Sequence, residues 1–211
     1  MTTPLLDIQN ATKVYGGGFL SSAEEMVALQ NFSMQIHEDR AVITTIAGES
    51  GSGKTTLARL LLGFITPTAG HVRYQGKHLD SLNPSELKQY RTDVQAVFQD
   101  PFEVYNPFYK VDHILKTPVA KFGLASSGAE ADGLIRATLE KVGLRPDETL
   151  GRFPHQISGG QRQRIMIARA LLLNPRIIIA DEPVSMVDAS MRSTILDRLL
   201  ALHKENGITL L

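Results

Sequence analysis

Nine consecutive residues, GESGSGKTT at positions 48–56, restrict the folds open to this chain more than any other stretch. Gly48, Gly51 and Gly53 interrupt any regular element, since each glycine costs a helix roughly 1 kcal/mol against alanine. The run before them, AVITTIA at 41–47, is β-branched without clear alternation, which suits a strand buried on both faces. The run after them, LARLLLGF, has apolar residues at helical spacing. A strand that passes through a glycine turn directly into a helix belongs to an α/β layer, in which helices cover a mainly parallel sheet.

The turn also carries chemistry. Gly48, Glu49, Ser50, Gly51, Ser52, Gly53, Lys54 and Thr55 fit G-x-x-x-x-G-K-[ST]. Glycines let the backbone curl until successive N–H groups face one anion, and the helix that follows adds the positive end of its dipole. Lys54 is suited to neutralise the β- and γ-phosphates of a nucleotide, and the Thr55 hydroxyl to take one position on Mg2+. The plain alternative is a Gly/Ser turn with a solvent lysine; a strand and a helix on its two sides count against it.

Upstream, residues 5–14 and 27–36 read as strands, and Phe32, Met34 and Ile36 alternate with polar neighbours. The loop between them is GGGFLSSAEE. HVRYQGKHL reads as a hairpin turning at Gln75 and Gly76, and DVQAVF as another strand. From 100 to 173 the patterns are mostly helical, broken by Pro and Gly. RIIIADEP returns to a buried strand. Asp188 then caps a helix whose apolar stripe is Met191, Ile195, Leu199 and Leu202. The expected fold class is α/β: a P-loop nucleotide-hydrolase core with a mainly parallel sheet, an N-terminal antiparallel β subdomain and an inserted helical lobe. It is read as one domain over 1–211. Residues 1–99 form the β subdomain and phosphate-loop core, 100–173 the helical lobe, and 174–211 the rest of the core. The closing GITLL is a bare apolar strand, so the chain is expected to be a fragment of a longer one.

Three further places extend the phosphate chemistry. RIIIADEP carries Asp181 to a sheet edge, where it can reach Mg2+ through water, and Glu182 can take the proton of an attacking water. Gln99, at the end of DVQAVF, can touch Mg2+ or that water; a polar residue ending a strand is the plain alternative. In ISGGQRQR, Ser158 and Gln161 form an S-x-x-Q capping box that opens a helix. The cap does not account for Gly159 and Gly160 just inside it. A helix N-terminus without side chains lets an anion approach the backbone.

Composition narrows the classes. Lys plus Arg and Asp plus Glu are both 22, so formal net charge is zero, without the basic footprint of nucleic-acid binding. There is no cysteine, hence no disulfide or thiolate chemistry. MTTPLLDIQN has neither a basic n-region nor a long apolar run, so no signal peptide is expected. No stretch reaches the ~20 apolar residues of a membrane span. The six histidines show no metal-ligand spacing.

Taken together these motifs resemble the nucleotide-binding subunit of ATP-binding cassette (ABC) transporters. ISGGQ is similar to that family's signature, VFQD to its Q-loop, SMVD to its D-loop and IIIADE to its Walker B segment, in family order over nearly the whole chain. The resemblance implies an ATPase using ATP and Mg2+, working as a head-to-tail dimer at the cytoplasmic face of the cell membrane. The phosphate loop of one subunit, with Thr56, would hold ATP, and Ser158, Gly159, Gly160 and Gln161 of the other would close on it. It places Tyr15 against adenine and Asp188 across the dimer seam, although capping its own helix would explain Asp188 equally. VFQDPFEVYNP, PHQISGGQRQRIMIARAL and the GGGFLSS insertion resemble the branch importing peptides or nickel. That branch implies transmembrane permease subunits, a second ATPase subunit that is a homologue or an identical copy, and indirectly an extracytoplasmic solute-binding protein. The residues near 99–110 would be the docking surface. The chain stops before the family's switch histidine, as a C-terminally truncated subunit would. A soluble, non-transport ABC ATPase and a hydrolysis-deficient, ATP-dependent dimerisation module are the competing readings.

Overall fold

In the computed structural model, residues 3–16, 25–99, 105–185 and 187–211 are described. Residues 17–22 of the GGGFLSS insertion and part of VFQDPFEVYNP lie outside them. The chain divides into two units, Met1–Arg91 with Leu211, and Thr92–Leu210.

The first unit is built on alternation. β1 (Leu6–Tyr15) pairs antiparallel with β2 (Met26–Ile36) on one side and with β3 (Ala69–Tyr74) on the other. β4 (Lys77–His78) completes the order β2-β1-β3-β4. Leu6, Ile8 and Ala11 of β1 are buried, with a register shift between Ile8 and Ala11. The β3–β4 hairpin turns where expected. Gln75 and Gly76 have φ of 50° and 80°, and two positive values in succession make the tight turn that matches strand twist. Helix α1 (Lys54–Leu61) buries Leu57, Leu60 and Leu61 and packs against β1 and β2. The buried hydroxyl of Tyr90, in α2 (Pro84–Asp93), donates to the Leu61 carbonyl.

The expected strand at 41–47 is not formed. Ile43 alone makes an isolated bridge, and its side chain is 49% exposed. β-Branched composition favours extended backbone, but a strand exists only where a neighbour completes its hydrogen-bond ladder. The three parallel strands pair among themselves without this run.

Those strands, β5 (Val94–Val97), β6 (Ile177–Ala180) and β7 (Thr209–Leu210), lie in the order β5-β6-β7 in the second unit. Ile177, Ile178 and Ile179 are all buried, as a parallel strand covered on both faces requires. Helices α6 (Gly159–Leu171) and α7 (Ala189–Asn206) pack against β5 and β7; α3 (Asp112–Phe122) and α4 (Gly128–Lys141) pack against α6, and α5 (Pro146–Thr149) against α4. Leu115, Leu139, Ile165 and Ile195 from the helices join Val97 and Ile178 from the strands in one core. On α7 the expected stripe is buried at Ile195, Leu199 and Leu202, and Met191 packs at its margin. No helix among the described residues is long and apolar enough to cross a membrane.

Leu139 of α4 is fully buried in this core. Leu139→Ala is expected to destabilise the fold by about 2–5 kcal/mol, read as a lower urea midpoint with unchanged slope. An unchanged midpoint would remove Leu139 from the core.

Candidate functional site

The glycine loop belongs to the first unit. Gly53 caps α1 with φ 92° and ψ 5°, in the left-handed region that glycine alone enters freely. A Cβ on Gly53 would lie 2.1 Å from the Ala28 carbonyl oxygen of β2, so backbone occupies the space any side chain would need. The Ser52 N–H donates to the Glu49 carbonyl at 3.2 Å and closes the turn. Lys54 Nζ donates to the carbonyls of Gly48 and Glu49, both at 2.8 Å, which holds its charge over the loop.

The loop fits a phosphate group. No side chain caps α1 and no acidic residue stands in its first turn, so its positive end is unopposed. Glu49, Ser50, Gly51 and Ser52 are exposed, as is Thr55 at the second helical position; Thr56 is half-buried. Tyr15 is the last residue of β1, opposite Met26 and half-buried. Lys13 Nζ stands 5.3 Å from its ring centroid.

The other candidates belong to the second unit. Asp181 follows β6 directly, and its N–H donates to the Val97 carbonyl at 3.0 Å, continuing the parallel ladder. Glu182 comes next, exposed, with φ 46°. That conformation is uncommon for a residue with a Cβ. The Ser185 N–H and hydroxyl hold it by donating to the Glu182 carbonyl at 3.1 and 3.0 Å. Gln99 is half-buried, two residues past the end of β5.

Helix α6 opens on the capping box as read. Ser158 Oγ accepts from the Gln161 N–H at 3.2 Å, and the Ser158 N–H donates to Gln161 Oε1 at 2.8 Å. Gly160 has a neighbour within its own chain. It is buried, and a Cβ there would lie 2.9 Å from Cε of Met191 on α7. One of the paired glycines therefore has a local packing reason. Asp188 occupies the N-cap position of α7, but its exposed carboxylate makes no cap bond, contrary to the expected capping role. Met186, within SMVD, lies outside the described residues.

Gln163 is a residue that sequence reasoning passes over. It is buried on α6, and its Nε2 donates to the Phe98 carbonyl at 3.2 Å, next to Gln99. A signal was present: Gln163, Ile167 and Ala170 follow helical spacing, so a glutamine stands on a buried stripe. Within the second unit, consecutive carbonyls of Val97 and Phe98 thus connect the segments bearing Gln99, Asp181 and the α6 N-terminus.

The ABC transporter family profile matches residues 29–185. The glutathione import ATP-binding protein GsiA of Salmonella paratyphi A is 39% identical over 211 residues, 99% of this chain and 33% of that protein. The probable peptide ABC transporter ATP-binding protein y4tS of Sinorhizobium fredii is 40% identical over 214 residues, 100% of this chain and 60% of that protein. The chain therefore spans between a third and three fifths of the length of these relatives. Among solved structures, the dimeric post-hydrolysis state of the ATP-binding cassette MJ0796 bound to ADP and Pi aligns with TM-score 0.81 and 32% identity. That alignment covers 97% of this chain and 85% of the other. The α/β architecture expected from the sequence matches this cassette.

The two close glycine contacts should respond differently to a methyl group. Met191 Cε ends a flexible side chain, whereas the Ala28 oxygen is backbone. Gly160→Ala is expected to stay within about 1 kcal/mol of the parent, since alanine's helix preference offsets a displaced methionine. Gly53→Ala is expected to lose clearly more, because both φ and the Ala28 carbonyl oppose it. Urea denaturation of the two variants tests the contrast; equal losses would contradict it.

Proposed function

We propose that this chain, which belongs to the ABC transporter family, is the ATP-hydrolysing subunit of an importer for peptides or peptide-like solutes such as glutathione. It works at the cytoplasmic face of the membrane as a head-to-tail dimer with a homologous or identical subunit, against separate permease subunits fed by a solute-binding protein. The observation that carries this reading is the loop before α1, where Gly53 yields its side-chain space to the Ala28 carbonyl and Lys54 is held over the turn. Relatives named for glutathione and peptide transport support the solute class.

In this reading residues 48–56 bind the phosphates through backbone N–H groups, Lys54 and the hydroxyls, and Tyr15 stacks on adenine. Thr55, Gln99 and Asp181 are assigned to Mg2+. Bound there, the ion would neutralise charge on the phosphates. Glu182 acts as general base toward water. Its positive φ supports a functional role, because such strain costs of order 1–3 kcal/mol and persists where surrounding structure over-determines it. Ser158, Gly159, Gly160 and Gln161 face the partner's nucleotide through the N-terminus of α6. Asp188, whose carboxylate is not used as a cap, is available for the dimer seam. The whole of 1–211 is one cassette, with the helical portion at 100–173 and the permease contact near 99–110.

Glu182→Gln is expected to slow ATP hydrolysis by ~10²–10⁴-fold, the usual contribution of a positioned base, while ATP binding persists. Unchanged turnover would remove Glu182 from that role. Lys54→Ala is expected to abolish nucleotide binding in equilibrium titration; retained affinity would overturn the phosphate-loop assignment.

A further inference from the structure

We infer that Gln163 is a positioning residue that ties Gln99 to the signature helix α6, so that the two move together. The inference rests on the proposed role of Gln99 at Mg2+.

Gln163 is 1% exposed. Its Nε2 donates to the Phe98 carbonyl at 3.2 Å, and its Oε1 is buried with no hydrogen-bond partner among the described residues. Reversing the amide would set two oxygens against each other, so the donor must face Phe98. An apolar side chain of similar length would fill this place without leaving an unpaired acceptor. The position therefore gives up stability for a single bond, and that bond ends on the residue before Gln99.

A second tether lies one residue earlier on α6. The Tyr105 hydroxyl donates to the Arg162 carbonyl at 3.1 Å. Burial pushes the Tyr105 phenol well above its ordinary pKa, so it remains a donor. Arg162 and Gln163, adjacent on α6, thus bond to Tyr105 and Phe98. The capping box of Ser158 and Gln161 opens the same helix within a turn of both. Whatever engages the N-terminus of α6 displaces Gln99 through the Gln163 bond to Phe98.

The test uses Gln163→Met in the full chain, which removes the bond and keeps length and helix preference. Hydrogen exchange without nucleotide is expected to quicken at β5 and Gln99. In ATP hydrolysis the Mg2+ concentration for half-maximal rate should rise by roughly 10-fold, the scale seen when a group supporting a metal ligand is removed. Loss of folded protein alone would not move that concentration. Adding Gln163→Met to Gln99→Ala should change the Mg2+ dependence no further. Parental exchange and Mg2+ dependence in Gln163→Met beside an impaired Gln99→Ala would overturn this inference alone, as would an additive effect in the double variant. A parental Mg2+ dependence in Gln99→Ala would overturn the Gln99 assignment, and the inference with it. Should Gln163→Met fail to fold, Gln163→Leu is expected to shift the Mg2+ dependence in the same direction, and parental behaviour there would be equally decisive.

Discussion

At the end of β5, two successive carbonyls accept from different parts of the second unit. Val97 takes the N–H of Asp181, and Phe98 takes the side-chain amide of Gln163. Each bond contributes only about 0.5–1.5 kcal/mol net. Their importance is geometric. The first sets the end of β6 and hence where Asp181 and Glu182 begin. The second fixes the chain that leads to Gln99 against α6, whose first turn is the ISGGQ segment. Three motifs far apart in sequence share one strand end as their reference.

In each unit, backbone conformation does work that side chains cannot. Gly53 has φ 92° and no Cβ because the Ala28 carbonyl occupies the space. Glu182 also lies at positive φ but keeps its side chain, held by the paired Ser185 bonds to its carbonyl. The contrast follows from function in the proposed reading. At the phosphate loop a backbone N–H must come close to an anion, so a side chain is excluded. At Glu182 the side chain is itself the reactive group, so the strain is retained.

Much of this was legible locally. The hairpin at Gln75 and Gly76, the capping box of Ser158 and Gln161, the apolar run of β6 and the stripe on α7 depend on neighbours within a few residues. Where the determinant was distant, the sequence misled or was silent. The run at 41–47 has the composition of a buried strand, yet its ladder must come from residues elsewhere in the chain. Gly160 has a packing neighbour that its own helix does not reveal, Met191, some thirty residues on. Asp188 stands in the N-cap position, but whether its carboxylate turns back to the helix is a rotamer choice that position alone does not dictate.

By itself, the sequence determined the α/β class, the phosphate loop and the order of the motifs, because these rest on spacing, periodicity and glycine chemistry along the chain. Only the tertiary structure decided that β5, β6 and the helices share one core, that the Gln163 amide reaches the Phe98 carbonyl, and that Glu182 sits in a strained turn. The reason is the range of the interactions. Propensity and capping act over one or two turns, whereas a buried amide or a parallel ladder has meaning only against a partner that folding brings from far along the chain.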